Sequence, residues 1–271
     1  MKILIPMAGA GQRFRDAGYK THKPAIPVTD RRSGEKIPMV VAATMDLPGV
    51  AAGGANVCYI DRDFHKIGGV EEKILAHYPK ARFLTLDHLT EGQASTCLTA
   101  KAEIDDADAL LIAGCDNGMV IDEEAFQKAC QTSDCLVFTY RHNESVLRNP
   151  DAYGWMRVDE TGRITGCSIK KAISAHPLED HAVVATFWFR HGHDFVRAAE
   201  KMIAEDDRIH GEFYVDEVVK HILSLGLCAH VFEVERYIGW GTPADYEAYE
   251  KTLAYWRGFV TSRGFRPKDE S

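Results

Sequence analysis

The first 28 residues place a short apolar strand directly before a glycine-rich loop, and this junction constrains the fold more than any other stretch. The apolar run at residues 3–5 ends at Pro6, and the loop that follows contains Gly9 and Gly11 and leads to Arg13. Residues without bulky side chains let backbone N–H groups approach an anion closely. Because Arg13 and Lys23 can add positive charge beside such a loop, the sequence predicts a site that holds a triphosphate.

The composition limits the classes of protein to which this chain can belong. It has 271 residues, of which 45% are hydrophobic, enough for one large or two small α/β domains. The formal net charge of -8 argues against a broad nucleic-acid-binding surface. No apolar stretch approaches the roughly 20 residues that span a bilayer, and the residues after Met1 do not resemble a signal peptide. We therefore predict a cytoplasmic protein that binds neither nucleic acid nor membrane.

Segments typical of strands and helices alternate through the first half of the chain. Strands are predicted over residues 3–5, 56–60, 82–86, 109–113 and 136–140, and helices over residues 37–47, 61–77 and 92–102. In the second half, residues 154–169 are typical of a β-hairpin with an acidic turn. Strands over 183–190 and 228–234 and helices over 191–205, 215–225 and 244–256 follow. The polar residues from Thr261 onwards are predicted to fray.

This pattern predicts one α/β domain with a Rossmann-like, mixed but mainly parallel central sheet and helices on both faces. An antiparallel insertion would cover the substrate. Residues 1–140 would form a nucleotide-binding half, residues 141–260 an acceptor-binding half, and residues 261–271 a tail.

The glycine-rich loop has two simpler explanations. A dinucleotide site fits poorly, because Phe14 stands where that fingerprint needs a third glycine. Gly9 and Gly11 alone are also typical of a tight turn after a strand. The presence of Arg13 and of the Lys23-Pro24 pair close to the loop favours phosphate binding over both.

Residues 7–14 followed by Lys23-Pro24 resemble the signature of the sugar-phosphate nucleotidyltransferases, GxGxRF followed by KP. The stretch IPMAGAGQRF…AGY…KP is similar to a bacterial branch of that family found in capsule and surface-polysaccharide pathways. The resemblance implies the nucleotide-diphospho-sugar transferase fold and a Mg²⁺-dependent pyrophosphorylase reaction. In that reaction a nucleoside triphosphate is joined to a phosphorylated small-molecule acceptor and pyrophosphate is released. The nucleotide, the acceptor and a homo-oligomeric state stay open.

The resemblance also implies roles for individual residues on the nucleotide side. Arg13, Lys23 and Asp116 would be catalytic. Gln93 begins a predicted helix and offers both a donor and an acceptor to a base, although an ordinary helix start has the same appearance. The nucleotide-binding residues implied are Met7, Ala8, Gly9, Ala10, Gly11, Gln12, Arg13, Lys23, Gln93, Ala94, Ser95 and Asp116.

Asp116 is the first candidate for a metal ligand. It follows the buried strand at residues 109–113, and ligands of open α/β sheets gather at the carboxyl ends of strands. A carboxylate that caps the next helix is the alternative explanation. The resemblance places a Mg²⁺ ligand at this position, where the ion would bridge phosphate oxygens.

The second metal ligand is harder to assign. Many relatives supply it from a late motif resembling W-x-D-x-G-T, whereas this chain has no Asp in residues 238–242, and Trp240 stands where an Asp is expected. Asp216, in the stretch FYVDE, resembles the aromatic-x-Asp element of choline-phosphate cytidylyltransferase relatives. Its alternative role is that of a carboxylate favoured by a helix N-terminus.

The acceptor side is predicted from the hairpin and the strand that follows. Relatives carry an E-K-P lysine at the position of Lys170 and Lys171, and strand alternation turns only one of the two toward the cleft. The motif spacing favours Lys171. Thr186, Phe187 and Trp188 correspond to the strand that lines the acceptor pocket, although Trp188 also fits a place in the core.

Two other functions remain compatible with parts of the sequence. A glycosyltransferase that uses a nucleotide-sugar would have a similar sheet, but such enzymes usually carry a D-x-D metal motif, and here Asn117-Gly118 follows Asp116. A non-catalytic nucleotide-binding regulatory subunit is compatible with the missing late Asp. Mg²⁺-dependent release of pyrophosphate would separate nucleotidyl transfer from both.

Overall fold

The computed structural model of the chain describes residues 1–263, which form thirteen β-strands and ten α-helices. The strands are β1 (Lys2–Pro6), β2 (Pro27–Thr29), β3 (Lys36–Pro38), β4 (Val57–Arg62), β5 (Arg82–Leu86), β6 (Leu110–Ala113), β7 (Asn117–Val120), β8 (Cys135–Tyr140), β9 (Gly154–Val158), β10 (Ile164–Ile169), β11 (His181–Phe189), β12 (Ala229–Glu233) and β13 (Arg236–Gly239). The helices are α1 (Gln12–Asp16), α2 (Met39–Met45), α3 (Asp63–Ile67), α4 (Val70–Leu75), α5 (Gln93–Leu98), α6 (Lys101–Ile104), α7 (Glu123–Thr132), α8 (Gly192–Ala204), α9 (Val215–Ser224) and α10 (Pro243–Ser262).

Nine of the described strands join in one central sheet. Its main path runs β10-β9-β11-β6-β1-β4-β5, and β8 pairs with both β11 and β12. The pairs β1–β4, β1–β6, β4–β5 and β8–β12 are parallel, whereas β11 is antiparallel to β6, β8 and β9. Two small antiparallel ribbons, β2–β3 and β7–β13, lie outside this sheet. The predicted mixed, mainly parallel sheet is confirmed.

Side-chain alternation along the central strands builds a core on each face of the sheet. In β1, Ile3 and Ile5 belong to one hydrophobic cluster and Leu4 belongs to the other. The first cluster includes buried residues of α2, α4 and α7, and the second includes those of α5, α8 and α9. Each fully buried aliphatic side chain contributes about 1.5–3 kcal/mol, so β1 is held from both sides. The loop that leaves β1 is therefore anchored to the most buried part of the molecule.

β11 carries an irregularity beside the edge of β6. Its pairing with β8 shifts register between Val183 and Phe187, and Ala185 within that interval has φ 60°. The Ala185 carbonyl accepts a hydrogen bond from Gly114 N at 2.9 Å, just beyond the end of β6. A non-glycine residue in the left-handed region is strained, and such bulges commonly lie near functional sites.

Some element boundaries differ from the sequence predictions for identifiable reasons. The single helix predicted over 61–77 is two short helices, α3 and α4, because Gly69 adopts φ 69° and separates them. The helix predicted over 92–102 is likewise divided into α5 and α6. The ribbon β7–β13 was not predicted, since its two strands are far apart in sequence.

The last helix is longer than predicted. α10 begins at the N-cap Thr242, whose hydroxyl accepts a hydrogen bond from Asp245 N, and it continues to Ser262. The predicted tail therefore overlaps this helix at Thr261 and Ser262. Residues 264–271 of that tail lie outside the described residues. Among residues 1–263, no helix is both long enough and apolar enough to cross a membrane.

Candidate active site

The glycine-rich loop continues directly from β1 and remains attached to the sheet at its start. Met7 N donates to Ile60 O at 2.8 Å, and both Met7 and Ala8 are buried. Gly11 has φ 62°, and a Cβ at this position would lie 3.3 Å from Lys23 Cβ. Glycine therefore allows the loop to turn in the left-handed region while passing close to Lys23. Gln12 and Arg13, which follow in α1, are exposed.

Lys23 and Asp116 form an ion pair beside this loop. Lys23 opens a 3₁₀ turn (Lys23–Ala25), and its Nζ lies 2.6 Å from Oδ2 of Asp116, which follows the end of β6. Burial acts to lower the pKa of Lys23, but the Asp116 carboxylate outweighs it and raises that pKa above its usual value. The same pair holds the pKa of Asp116 below its usual value despite burial. Both groups are therefore charged at neutral pH.

Arg13 lies near this pair and near a second group of charges. Its guanidinium acts to lower the pKa values of Lys23, Asp116, Lys170 and Tyr214. Because charge interactions weaken within about 10 Å in salt solution, all four groups lie within reach of the Arg13 guanidinium. A cavity of about 230 Å³ there is lined by Gly11, Gln12, Arg13, Phe14, Lys23 and Gly241. The arrangement is a concave, cationic site with one carboxylate, suited to phosphate oxygens.

Asp216 and Lys170 form the second group of charges. Asp216 lies in the first turn of α9 and is buried, and burial raises its pKa to about 6, although Lys170 acts in the opposite direction. Gly154 makes room for this carboxylate, since a Cβ there would lie 2.3 Å from Oδ1 of Asp216. Lys170 Nζ donates to Ala152 O at 2.6 Å and lies 5.4 Å from the centre of the Tyr214 ring.

The two hairpin lysines point in different directions. Lys170 is half-buried next to Asp216, and its backbone has φ 57°, in the strained left-handed region. Lys171 is exposed. The motif spacing favoured Lys171 for the cleft, but the structure instead turns Lys170 inward, because the left-handed residue ends the strand alternation on which the prediction relied.

The residues present fit a metal ion that takes most of its ligands from the substrate rather than from the protein. Within residues 1–263, no group of three or more His, Cys, Asp or Glu side chains is arranged to hold a metal. Mg²⁺ is usually bound through one or two carboxylates together with waters and substrate phosphates, so such a cage is not needed. The partly exposed Asp116 carboxylate beside the loop fits that donor set.

Trp240 does not face the site, and the expectation of an Asp at its position was wrong. Its side chain is 1% exposed and packs in the core against Tyr249 and next to Gly118. Neighbouring residues of an extended segment point to opposite sides, so Gly241 rather than Trp240 faces Asp116. A Cβ at Gly241 would lie 3.2 Å from Asp116 Oδ2. Counted back from Gly241-Thr242, the Asp of the W-x-D-x-G-T pattern falls on Gly239, not on Trp240.

The predicted base-binding residues lie at the start of α5 and are attached to a distant loop. Gln93 and Ser95 are half-buried and Ala94 is buried, and the Ser95 hydroxyl has no hydrogen-bond partner among residues 1–263. Ala94 N donates to Phe213 O at 2.9 Å. A Cβ at Gly92 would lie 2.5 Å from both N and O of Phe213. The start of α5 is therefore positioned by the segment that leads to Asp216.

The predicted acceptor strand is mostly core. Trp188 is buried and packs with its edge against Phe126, while Phe187 belongs to the opposite hydrophobic cluster. Thr186 is fully buried, and its hydroxyl finds no hydrogen-bond partner in the part of the chain that the structure describes. The core explanation of Trp188 fits these contacts better than contact with an acceptor.

A group of tyrosines near Asp116 was missed in the sequence. Tyr237 is stacked on Tyr140 with the ring centres 4.1 Å apart, and Tyr153 lies close to both. Burial and the charge of Asp116 are among the causes that raise the Tyr237 pKa well above its usual value. The sequence could have indicated Tyr237, because it directly precedes the 238–242 motif. Its partners, Tyr140 and Tyr153, could not be predicted because they are distant in the chain.

Comparison with known proteins identifies the class of fold. It is the nucleotide-diphospho-sugar transferase type predicted above, a mixed α/β fold shared with solved nucleotidyltransferase structures. No protein-family model matches the chain, and no curated protein matches it in sequence.

Three solved structures illustrate the likeness. A nucleoside-diphosphate-sugar pyrophosphorylase from Vibrio cholerae RC9 matches with a TM-score of 0.71 and 18% identity, over 92% of this chain and 99% of that one. A protein from Bacillus anthracis, assigned as a glucose-1-phosphate thymidylyltransferase and bound to sucrose, gives a TM-score of 0.71 and 16% identity, over 93% and 95%. An inositol-1-phosphate CTP transferase from T. maritima gives 0.64 and 14%, over 92% and 95%. At these identities the likeness shows a common fold.

Proposed function

We propose that this protein is a nucleotidyltransferase of the pyrophosphorylase type, which joins a nucleoside triphosphate to a phosphorylated small molecule and releases pyrophosphate. The observation that carries the proposal is the Lys23–Asp116 pair, 2.6 Å apart, at the mouth of the loop that contains Gly11 and Arg13. A fold shared with enzymes of this class supports the same conclusion. Residues 1–140 would bind the nucleotide, and residues 141–260 the acceptor.

The reaction needs charge neutralisation and positioning more than it needs acid–base chemistry. A phosphate oxygen of the acceptor would attack the α-phosphorus in line with the departing pyrophosphate. Because a phosphate dianion is already a nucleophile, no general base is required. Arg13 and the loop amides would bind the β- and γ-phosphates. Lys23 would donate to the α-phosphoryl oxygens as their charge develops, and Gln93 with Ala94 and Ser95 would contact the base.

The acceptor phosphate would bind beside Lys170. The Lys170 side chain is half-buried and lies next to Asp216. A phosphate there would meet this cation within a partly dry site, where charge interactions are stronger than in water. Lys170 is therefore the acceptor-binding member of the hairpin pair in this proposal.

A Mg²⁺ ion would be held by Asp116, with Asp216 as the second carboxylate. When bound, the ion would neutralise part of the negative charge on the phosphates. Lys23 and Arg13 would neutralise another part. The Lys23 ammonium occupies one Asp116 oxygen in this structure. In the substrate complex we expect Lys23 to donate to the nucleotide instead.

Two finer assignments rest on the sequence resemblance. The stretch at residues 5–24 is similar to enzymes of capsule and surface-polysaccharide pathways, so we propose that the product is a precursor for such a polymer. Nucleoside triphosphates are cytoplasmic substrates, and we place the reaction in that compartment.

A pyrophosphate-release screen tests the proposal. The protein would be incubated with Mg²⁺ and each of CTP, UTP and dTTP, against a panel of sugar 1-phosphates and small phosphorylated compounds. We expect release above background for at least one pair, and loss of release when Mg²⁺ is removed with EDTA. Transfer of sugar from a nucleotide-sugar without pyrophosphate release would instead indicate a glycosyltransferase. Nucleotide binding without turnover on any pair would indicate a regulatory subunit.

A further inference from the structure

The aromatic ring of Phe14 lies beside the Lys23 ammonium. The ring centre is 5.7 Å from Lys23 Nζ, which is within the distance at which the face of an aromatic ring attracts an ammonium group. Phe14 also lines the cavity of about 230 Å³ that contains Arg13 and Lys23. The backbone of Phe14 is fixed locally, since its N–H donates to Gly11 O at 3.1 Å. The ring therefore belongs to the same cavity as the charged groups.

Three neighbours surround the Lys23 ammonium. Asp116 Oδ2 lies 2.6 Å from it, and the carbonyl oxygen of Gly241 lies 3.5 Å from it. The Phe14 ring is the third neighbour, and it is apolar. Only 20% of the Lys23 side chain is exposed, and Lys23 lines the cavity beside the glycine-rich loop. That cavity is therefore the place where a phosphate oxygen can reach the ammonium.

Two tyrosines hold the Phe14 ring. Phe14 is 1% exposed, and its ring makes edge-on contacts with Tyr19 and Tyr246, with ring centres 5.2 and 6.3 Å away. The Tyr246 hydroxyl donates to Pro27 O at 2.8 Å. The Tyr19 hydroxyl donates to Glu247 Oε1, also at 2.8 Å. Because protein interiors are closely packed, a ring with these contacts keeps one orientation.

These contacts connect the glycine-rich loop to α10. Tyr246 lies near the start of this helix, and its N–H donates to the carbonyl oxygen of the N-cap Thr242 at 3.0 Å. Gly241 directly precedes the cap, and a Cβ there would lie 3.2 Å from Asp116 Oδ2. The start of α10 thus contacts both the Phe14 ring and the segment beside Asp116.

We propose that Phe14 is a positioning residue for Lys23. The face of its ring keeps the ammonium where it meets a phosphate oxygen, and Tyr246 keeps the ring in place. The inference rests on the proposed nucleotidyl transfer, in which Lys23 leaves Asp116 and donates to the α-phosphoryl group. Once Lys23 has left Asp116, the ring still attracts the ammonium, and it offers no oxygen that would compete with the phosphate.

A double-mutant cycle between Phe14 and Lys23 tests this inference. Phe14→Leu keeps an apolar side chain in the core but removes the ring. With Mg²⁺ present, we expect it to weaken binding of CTP, UTP or dTTP, whichever binds most tightly, by at least about fivefold in calorimetry. The kcat of pyrophosphate release should fall by at least the same factor. In a Lys23→Ala background the substitution should change both by less than about twofold, because no ammonium remains to be positioned.

Three tyrosine variants of α10 accompany the cycle. Tyr246→Leu removes the ring that packs on Phe14 and should reproduce the effect of Phe14→Leu. Tyr246→Phe keeps that ring and loses only the hydrogen bond to Pro27, so it should retain most of the binding and activity. Tyr255→Leu changes a tyrosine of the same helix that is 65% exposed, and it should behave as the wild type.

The outcomes separate this inference from the proposed function. If Phe14→Leu weakens binding equally in the wild-type and Lys23→Ala backgrounds, Phe14 acts only as a core residue and the inference is wrong. If the effect on binding requires Lys23 but no triphosphate yields pyrophosphate, the positioning role stands and the proposed transfer reaction fails. Should Phe14→Leu not fold, the same cycle with Tyr246→Leu gives the same two results. A wild-type protein that binds none of the three triphosphates would overturn both proposals.

Discussion

The ammonium of Lys23 lies 2.6 Å from Oδ2 of Asp116, although 93 residues separate them in the sequence. One residue follows the loop that leaves β1, and the other follows β6, and these two strands are parallel neighbours in the sheet. The carboxyl ends of adjacent parallel strands meet at one edge, which is where α/β proteins bind their ligands. The pair therefore joins the phosphate-binding loop to the candidate metal ligand.

Removal of either member of this pair should abolish most of the activity. We expect Lys23→Ala and Asp116→Ala each to lower kcat by about 10²–10³, the usual effect of losing one preorganised charge from a transition-state site. Initial rates of pyrophosphate release at saturating substrates would measure it. Near-normal turnover in either variant would contradict the assignment.

Folding controls accompany these variants. Lys20→Ala, at an exposed lysine of the same loop region, should retain wild-type activity. Far-UV circular dichroism and melting temperature should be almost unchanged in Lys23→Ala and Asp116→Ala, because both side chains are partly exposed and partly screened by water.

The hairpin lysines provide a matched pair of variants. Lys170→Ala should raise KM for the acceptor by at least about tenfold, since it removes a half-buried cation next to the proposed phosphate position. Lys171→Ala removes an exposed cation one residue later and should change KM by less than about twofold. Steady-state kinetics with varied acceptor would decide. Equal effects of the two substitutions would contradict the inward orientation of Lys170.

Gly92→Ala tests the junction between the start of α5 and the segment before Asp216. Gly92 has φ 132°, and an added Cβ would lie 2.5 Å from the backbone of Phe213, so the two segments must separate. We expect the free energy of unfolding to fall by at least about 2 kcal/mol, and KM for the triphosphate to rise because Gln93 moves. Urea denaturation and nucleotide-dependent kinetics would measure the two effects.

Gly211→Ala is the control for strain without a clash. Gly211 also has a positive φ, 82°, but a Cβ there would have open space around it. The substitution should lower the free energy of unfolding by only about 1 kcal/mol, because alanine is strained in this backbone conformation. A Gly92→Ala variant as stable as Gly211→Ala would show that the junction is not rigid.

Asp61 should make stability depend on pH. Both of its carboxylate oxygens are buried, and burial raises its pKa from 3.8 to about 6, although the Thr85 hydroxyl acts in the opposite direction. The folded state thus holds this proton more tightly than the unfolded state, so stability is lost as the pH rises through that interval. The shift corresponds to about 3 kcal/mol of destabilisation above pH 6.

Asp61→Asn should remove this pH-dependent loss. We expect the variant to be about 1–3 kcal/mol more stable than wild type at pH 7.5 and to have no advantage at pH 4, as measured by urea denaturation. Asp63→Asn, at a largely exposed neighbour, should follow the wild-type pH profile. An Asp61→Asn protein with no gain at pH 7.5 would indicate that the carboxylate has a partner in solution.

Several elements could be predicted because the local pattern was sufficient. β5 was predicted at residues 82–86, where the structure has it, and β6 was predicted to within one residue, since it is a continuous buried apolar run. The hairpin β9–β10 followed from its turn residues. The break between α3 and α4 was missed because glycine tolerates both helical and left-handed conformations, and the sequence pattern alone does not distinguish them.

Some residues of the site could be predicted and others could not, for a related reason. Lys23 could be proposed from the Lys23-Pro24 pair after the glycine-rich loop, and Asp116 because it follows a strand that was itself predictable. Tyr237 was missed because its surroundings depend on the β7–β13 pairing between distant segments. Trp240 was misassigned because the W-x-D-x-G-T pattern was placed one residue too late on this stretch. A shift of one residue in such a strand exchanges the side that faces the site with the side that faces the core.

The sequence by itself determined the order of the strands in the central sheet, the glycine-rich loop and the charged residues that follow it. These depend on interactions between residues close together in the chain, where apolar spacing and backbone preferences decide the outcome. Only the tertiary structure decided that Lys170 rather than Lys171 turns inward, that Trp240 packs in the core, and that Lys23 contacts Asp116. These facts depend on strand register, on one left-handed backbone residue and on contacts across the sheet, for which the local sequence carries no sufficient signal.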